Sequence, residues 1–175
     1  ELCFLRDDTM NLREGRVLAL RTGPVTARVL YISAPDEPSV YGDVWAFDAR
    51  PLNEGPAPDA DELARQRHRW HYRPVARLKR GDFRTAEIEG PRPTSEEVGA
   101  LRARLESMGC TAYVLSTDEY ELPDPASPEK FIPAVYLRVA VPRAVTDDAV
   151  DEAVREACAR FAHPLCVTRA NPPEE

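Results

Sequence analysis

Lysine is nearly absent from this 175-residue chain: Lys79 and Lys130 stand against 21 arginines. With 17 prolines and abundant alanine, this is the composition of a GC-rich coding sequence, in which arginine is the default surface cation. Long apolar runs are missing too. The longest, Ala134–Ala140, is interrupted by Arg138. A helix needs roughly 20 apolar residues to cross a bilayer, so no transmembrane helix and no membrane partner are expected. The opening Glu1-Leu2-Cys3-Phe4-Leu5 has no basic region ahead of its short apolar stretch and does not read as a secretory signal. The expected setting is the cytoplasm.

Glycine is scarce as well. Its eight residues are scattered, and the chain has no G-x-G-x-x-G, P-loop or G-x-S-x-G pattern, which removes the common phosphate cradles and the nucleophile elbow. Among the four cysteines there is no C-x-x-C. Cys110, Cys158 and Cys166 fall beside or within predicted helices and strands, where a thiol behaves as a small buried hydrophobe. No cofactor and no metal are expected.

The chain is 43% hydrophobic and 30% charged, globular values rather than those of a disordered segment. Its length suits one ordinary domain or two small ones. The C-terminal half has the clearest pattern. Thr94 and Glu97 form a capping box, followed by an apolar stripe of Val98, Leu101, Leu105 and Met108, with Gly109 able to take φ > 0 beyond it. Thr111–Thr117 is rich in β-formers. Beyond a proline-rich loop, Phe131–Val141 alternates, with Val135, Leu137, Val139 and Val141 on one face and Tyr136 and Arg138 on the other. Thr146 caps a second helix whose stripe is Val150, Val154, Ala157 and Phe161. Pro164 ends it, and Leu165–Thr168 reads as a short closing strand. With Phe83–Ile88 as the first strand, the order is β-α-β-β-α-β, the split βαβ arrangement of ferredoxin-like folds.

The N-terminal part is β-rich. Gly15–Leu20 and Val25–Ser33 read as a hairpin and Val40–Asp48 as a third strand. A Gly/Pro linker from Asn53 to Pro58 precedes a predicted helix, Asp59–Trp70, with Asp59 as cap and a thin stripe of Leu63, Ala64 and Trp70. The expected division is a β-rich module over 1–58, a basic helix and connector over 59–82, and the ferredoxin-like domain over 83–175. The fold class is α+β.

Charge supplies the main pointer to function. Between Arg65 and Arg84 lie eight basic residues and one acid, Asp82, with Trp70, Tyr72 and Phe83 among them. That segment is net +7 in a chain of net −7, so the remainder carries −14. The expected ligand-binding residues are Arg65, Arg69, Trp70, Tyr72, Arg73, Arg77 and Arg80. They point to a non-enzymatic binding or regulatory protein that engages an acidic protein partner or an anionic ligand. A second reading is single-stranded RNA or DNA, with guanidiniums on phosphate and Trp70 and Tyr72 stacked on bases. A third is a solvated basic helix face, with Trp70 and Tyr72 filling a seam. The arginines at 65, 69, 73 and 77 recur every four residues, but Pro74 prevents one continuous helix.

An enzyme would draw its polar groups from His68, His71, Tyr72 and Asp118, in a cleft between the two halves. His68 and His71 stand at i, i+3 on the predicted helix without a nearby third ligand. Asp118, Glu119, Glu121 and Asp124 read as the charges that guard an exposed strand edge.

Overall fold

The computed structural model describes residues 2–5, 16–37, 39–124, 126–161 and 164–170. Contacts divide the chain into two compact units, Glu1–Ser33 with Val40–Asp82, and Ala34–Ser39 with Phe83–Glu175. The protein is α+β, with two largely antiparallel sheets and few helices. No helix among the described residues is long and apolar enough to cross a membrane.

In the N-terminal unit the strands are β1 (Leu2–Leu5), β2 (Arg16–Gly23), β3 (Thr26–Val29), β4 (Val44–Phe47), β5 (Trp70–Tyr72) and β6 (Pro74–Lys79). Their order in the sheet is β5-β1-β2-β3-β4-β6. All neighbours are antiparallel except β1 and β5. The two edge strands are consecutive in sequence, separated only by Arg73. One bent stretch therefore joins both edges, and the sheet curls toward a small barrel. Val17, Ala19, Ala27, Val29, Phe47 and Tyr72 fill its interior, as the period of two along β2 and β3 requires.

Two expectations are corrected here. The helix predicted over Asp59–Trp70 is only α1 (Glu62–Arg67), capped by Asp61 rather than Asp59, and it buries no residue. Having nothing to pack, the helix stops, and Trp70–Tyr72 gains more by pairing with β1 and burying Tyr72 than by another helical turn. His71 consequently lies on a strand, and the i, i+3 helical pairing with His68 does not form. The strand β1 carries no expectation from the sequence at all.

The C-terminal unit contains β7 (Phe83–Pro91), α2 (Ser95–Glu106), β8 (Thr111–Val114), β9 (Glu121–Asp124), β10 (Ser127–Pro142), α3 (Asp147–Cys158) and β11 (Cys166–Ala170). Its sheet runs β11-β7-β10-β8, antiparallel throughout. The proline-rich segment expected as a loop holds β9, which pairs with the first half of β10 across a bulge.

The caps are as read from the sequence: Thr94 and Glu97 exchange both capping-box hydrogen bonds, and the Thr146 hydroxyl accepts from Ala149 N. Leu101, Leu105, Val150 and Val154 pack with Val135, Leu137, Val139 and Val141 in one core. Both helices therefore cover the same sheet face. Arg84, counted within the basic segment, is buried there. Its Nη2 donates to Val145 O at 3.0 Å, and Nη1 lies 2.6 Å from the Asp147 carboxylate as an ion pair rather than an aligned hydrogen bond. Cys110 and Cys158 are buried, but Cys166 is exposed. In β11 the neighbouring Val167 packs against the core, and alternation turns Cys166 to the other face.

Candidate functional site

The basic segment is spread over α1, β5 and β6, and its residues have unequal fates. Arg65 donates to Pro58 O at 2.9 Å and Arg69 to Gln66 O at 3.1 Å. Both guanidiniums thus engage carbonyls around their own short helix. Arginine beyond that point follows strand geometry. Arg73 stands exposed between β5 and β6, Arg77 and Lys79 are exposed on β6, and Arg80 is exposed just past it. Among the described residues, Arg73 and Lys79 have no ion pair.

The aromatic residues expected beside these cations are not a matched pair. Tyr72 is 7% exposed and its ring lies 4.7 Å from that of Phe47, inside the barrel core. Trp70 is 36% exposed. It meets the His68 ring edge-on at 4.8 Å and lies against Gly55, where an added Cβ would sit 3.1 Å from the indole. Asn53 holds this stretch of backbone: its Nδ2 donates to Arg69 O at 2.9 Å and its Oδ1 accepts from His71 N at 2.8 Å. Tyr72 thus has no face to offer a base, and both rings pack within the N-terminal unit.

Arg77 is positioned by a buried carboxylate that the sequence did not mark. Asp43, 0% exposed, accepts from Gly81 N at 2.6 Å and from Arg77 Nη1 at 3.5 Å. The Arg77 guanidinium also lies 5.9 Å from the Trp45 ring centroid. Asp43 closes a turn from Val40 in which Gly42 has φ 79°. At Gly81 any side chain would collide with the Tyr41 carbonyl oxygen, so glycine is needed there for close approach. The signal in the sequence was the Gly42-Asp43 pair, a turn dipeptide whose acid had no visible partner 38 residues on.

Burial pushes the Asp43 carboxyl above its ordinary value, against the opposing pull of the Gly81 N–H and Arg77. The sign of the pH effect follows from proton counting. From about pH 4 up to the raised value, the folded chain keeps a proton that the unfolded chain releases, so stability falls as pH rises through that window. Asp43→Asn keeps an oxygen for Gly81 but cannot ionise. In urea titrations across this range, the wild type should lose stability relative to Asp43→Asn as pH rises. A stability difference that is constant with pH would contradict this.

A second polar cluster sits on the helix-free face of the C-terminal sheet. Arg138 lies directly across from Glu87, and its Nε donates to Glu87 Oε1 at 3.2 Å and to the Tyr136 hydroxyl at 3.1 Å. The Tyr136 hydroxyl donates to Glu87, and that of Tyr120 to Glu89. The bond to Glu89 pushes Tyr120 up to about 12. Burial, with the bond to Glu87, raises Tyr136 as well. Both phenols are therefore neutral donors near pH 7, unsuited to act as general bases. The alternation that placed Tyr136 and Arg138 on one face was visible in the sequence; their partners on β7 were not.

The groups named for an enzyme are dispersed in their roles. Asp118 pairs with Arg92 at 2.7 Å, beside a hollow of about 240 Å³ lined also by Ser95, Val98, Ser116 and Val135. Tyr72 is core. His71 contributes backbone bonds to Asn53 and Leu52, and His68 packs on Trp70. Among the described residues no three His, Cys, Asp or Glu side chains group as metal ligands. No protein-family model, no curated protein and no solved structure matches this chain. Its own geometry carries the functional reading.

Proposed function

We propose that this is a non-enzymatic binding or regulatory protein whose N-terminal unit engages an acidic protein partner through β6 and its cationic flanks. One observation carries the reading. After Pro74, five consecutive residues of β6, Val75 to Lys79, are all exposed. A strand normally buries every other residue, so a strand exposed on both faces is built to be seen. Arg73, Arg77, Lys79 and Arg80 make it cationic, and Val75 and Leu78, 66% and 58% exposed, make it partly apolar. Exposed apolar residues ringed by charge mark contact surfaces, and cations enriched on one face draw acidic partners in by long-range attraction. Nucleic acid is the weaker reading, because Tyr72 is committed to the core and single-strand binding draws much of its strength from stacked bases.

The ferredoxin-like assignment of residues 83–175 belongs to this proposal. In order of appearance, omitting β9, the strands lie 4-1-3-2 with α2 and α3 on one face, which favours it. A cytoplasmic setting is proposed on the free thiols of Cys110, Cys158 and Cys166.

A fluorescent peptide of alternating glutamate and valine, titrated with the full chain, tests the binding reading. Exposed charges are screened as the Debye length shrinks from about 10 Å at 0.1 M salt to about 3 Å at 1 M. Affinity should fall at least about tenfold over that range. An affinity indifferent to salt, or no binding even at low salt, would refute the proposal.

A further inference from the structure

We infer that the acidic partner docks as an added antiparallel or parallel strand on the outer edge of β6. The inference rests on the binding reading above and names how that same surface is used. β6 is the terminal strand of its sheet and pairs with β4 alone among the described residues. Among the described residues its outer edge has no strand beside it, the position at which strand addition starts.

The charges on β6 tell what such a strand must carry. The register of β6 shifts twice against β4, so that Arg77 lies opposite Trp45 and Lys79 opposite Val44, which places these two cations on opposite faces of the strand. An acidic strand added at this edge sets carboxylates within reach of Arg77 on one face or Lys79 on the other. Opposite charges on neighbouring strands attract and like charges repel. The cations therefore make a second copy of β6 a poor partner, since each edge would bring its own positive charge and no acid. They select for an acidic strand.

Backbone methylation separates this mode from simple charge attraction. Two versions of the glutamate–valine peptide are made, one N-methylated at every glutamate and the other at every valine. Each loses the N–H donors along one edge only. Strand addition uses one edge, so one version should bind the full-length protein within about threefold of the unmodified peptide and the other at least about tenfold more weakly. Equal affinities for the two versions would overturn strand addition while leaving the binding reading intact. Absence of binding by the unmodified peptide would instead overturn the reading on which the inference rests. Self-association of the protein alone, abolished by Val75→Pro in sedimentation, would overturn the choice of an acidic partner over a second copy.

Discussion

Leu105→Ala is expected to destabilise the C-terminal unit by about 3–5 kcal/mol. Leu105 is 0% exposed and projects from the last turn of α2 into the core shared with α3 and the helix-facing side of β7 and β10. Truncation removes most of its buried apolar surface, and the transfer term alone is about 2 kcal/mol. The cavity adds the rest. Its surroundings, α2 fixed at one end by the Thr94–Glu97 box and tied to α3 by an Arg104–Glu156 pair at 3.0 Å, resist collapse into the space. Urea unfolding followed by circular dichroism measures the loss. A change below about 1 kcal/mol would mean that α2 does not present this face to the sheet.

Tyr72→Ala should cost a similar amount in the N-terminal unit, about 3–5 kcal/mol, by a different route. The ring closes the barrel interior against Phe47, and its backbone is the last paired position of β5, opposite Phe4. The next residue, Arg73, is the bend from which β6 departs to the other edge. Loss of the ring removes the anchor of both edges at once. Tyr72→Phe keeps the packing and should cost about 1 kcal/mol or less. If thermal and urea unfolding showed the alanine and phenylalanine variants equally stable, the ring would not be a core element.

These two residues also show what the sequence could reveal. Leu105 was legible because a helix announces itself locally: a Thr94 cap, a Glu97 partner three residues on, and apolar positions at spacings of three and four. Tyr72 was not. Its strand is three residues long and exists through parallel pairing with β1, a contact some 68 residues away that no local period records. The preceding Glu, Arg and Ala residues favour helix, so local propensity extends the helix through Trp70. The recurrence of arginine every four residues suggests one helical face, whereas Arg73 lies between β5 and β6 and Arg77 within β6, whose register shifts twice against β4. The basic segment is dense in cations along the sequence, but its division among α1, β5, β6 and β7 is hidden there. Arg84 is spent on Asp147, Arg65 and Arg69 engage local carbonyls, and the exposed cations divide between α1 and the stretch around β6. Asp43 was silent for the same reason: its partner, Gly81, meets it only in the folded chain.

The central reading, that the β6 cations hold an acidic partner, is tested most directly by reversing charge where no packing is at stake. Arg73 and Lys79 are exposed and without an ion pair among the described residues, so Arg73→Glu/Lys79→Glu should leave the melting temperature nearly unchanged. Each exposed ion pair contributes about 0.2–1 kcal/mol, and reversal replaces attraction with repulsion at both positions. The account predicts that the double variant binds the glutamate–valine peptide at least about tenfold more weakly than the wild type at low salt. A folded double variant that binds the peptide as tightly as the wild type would contradict it.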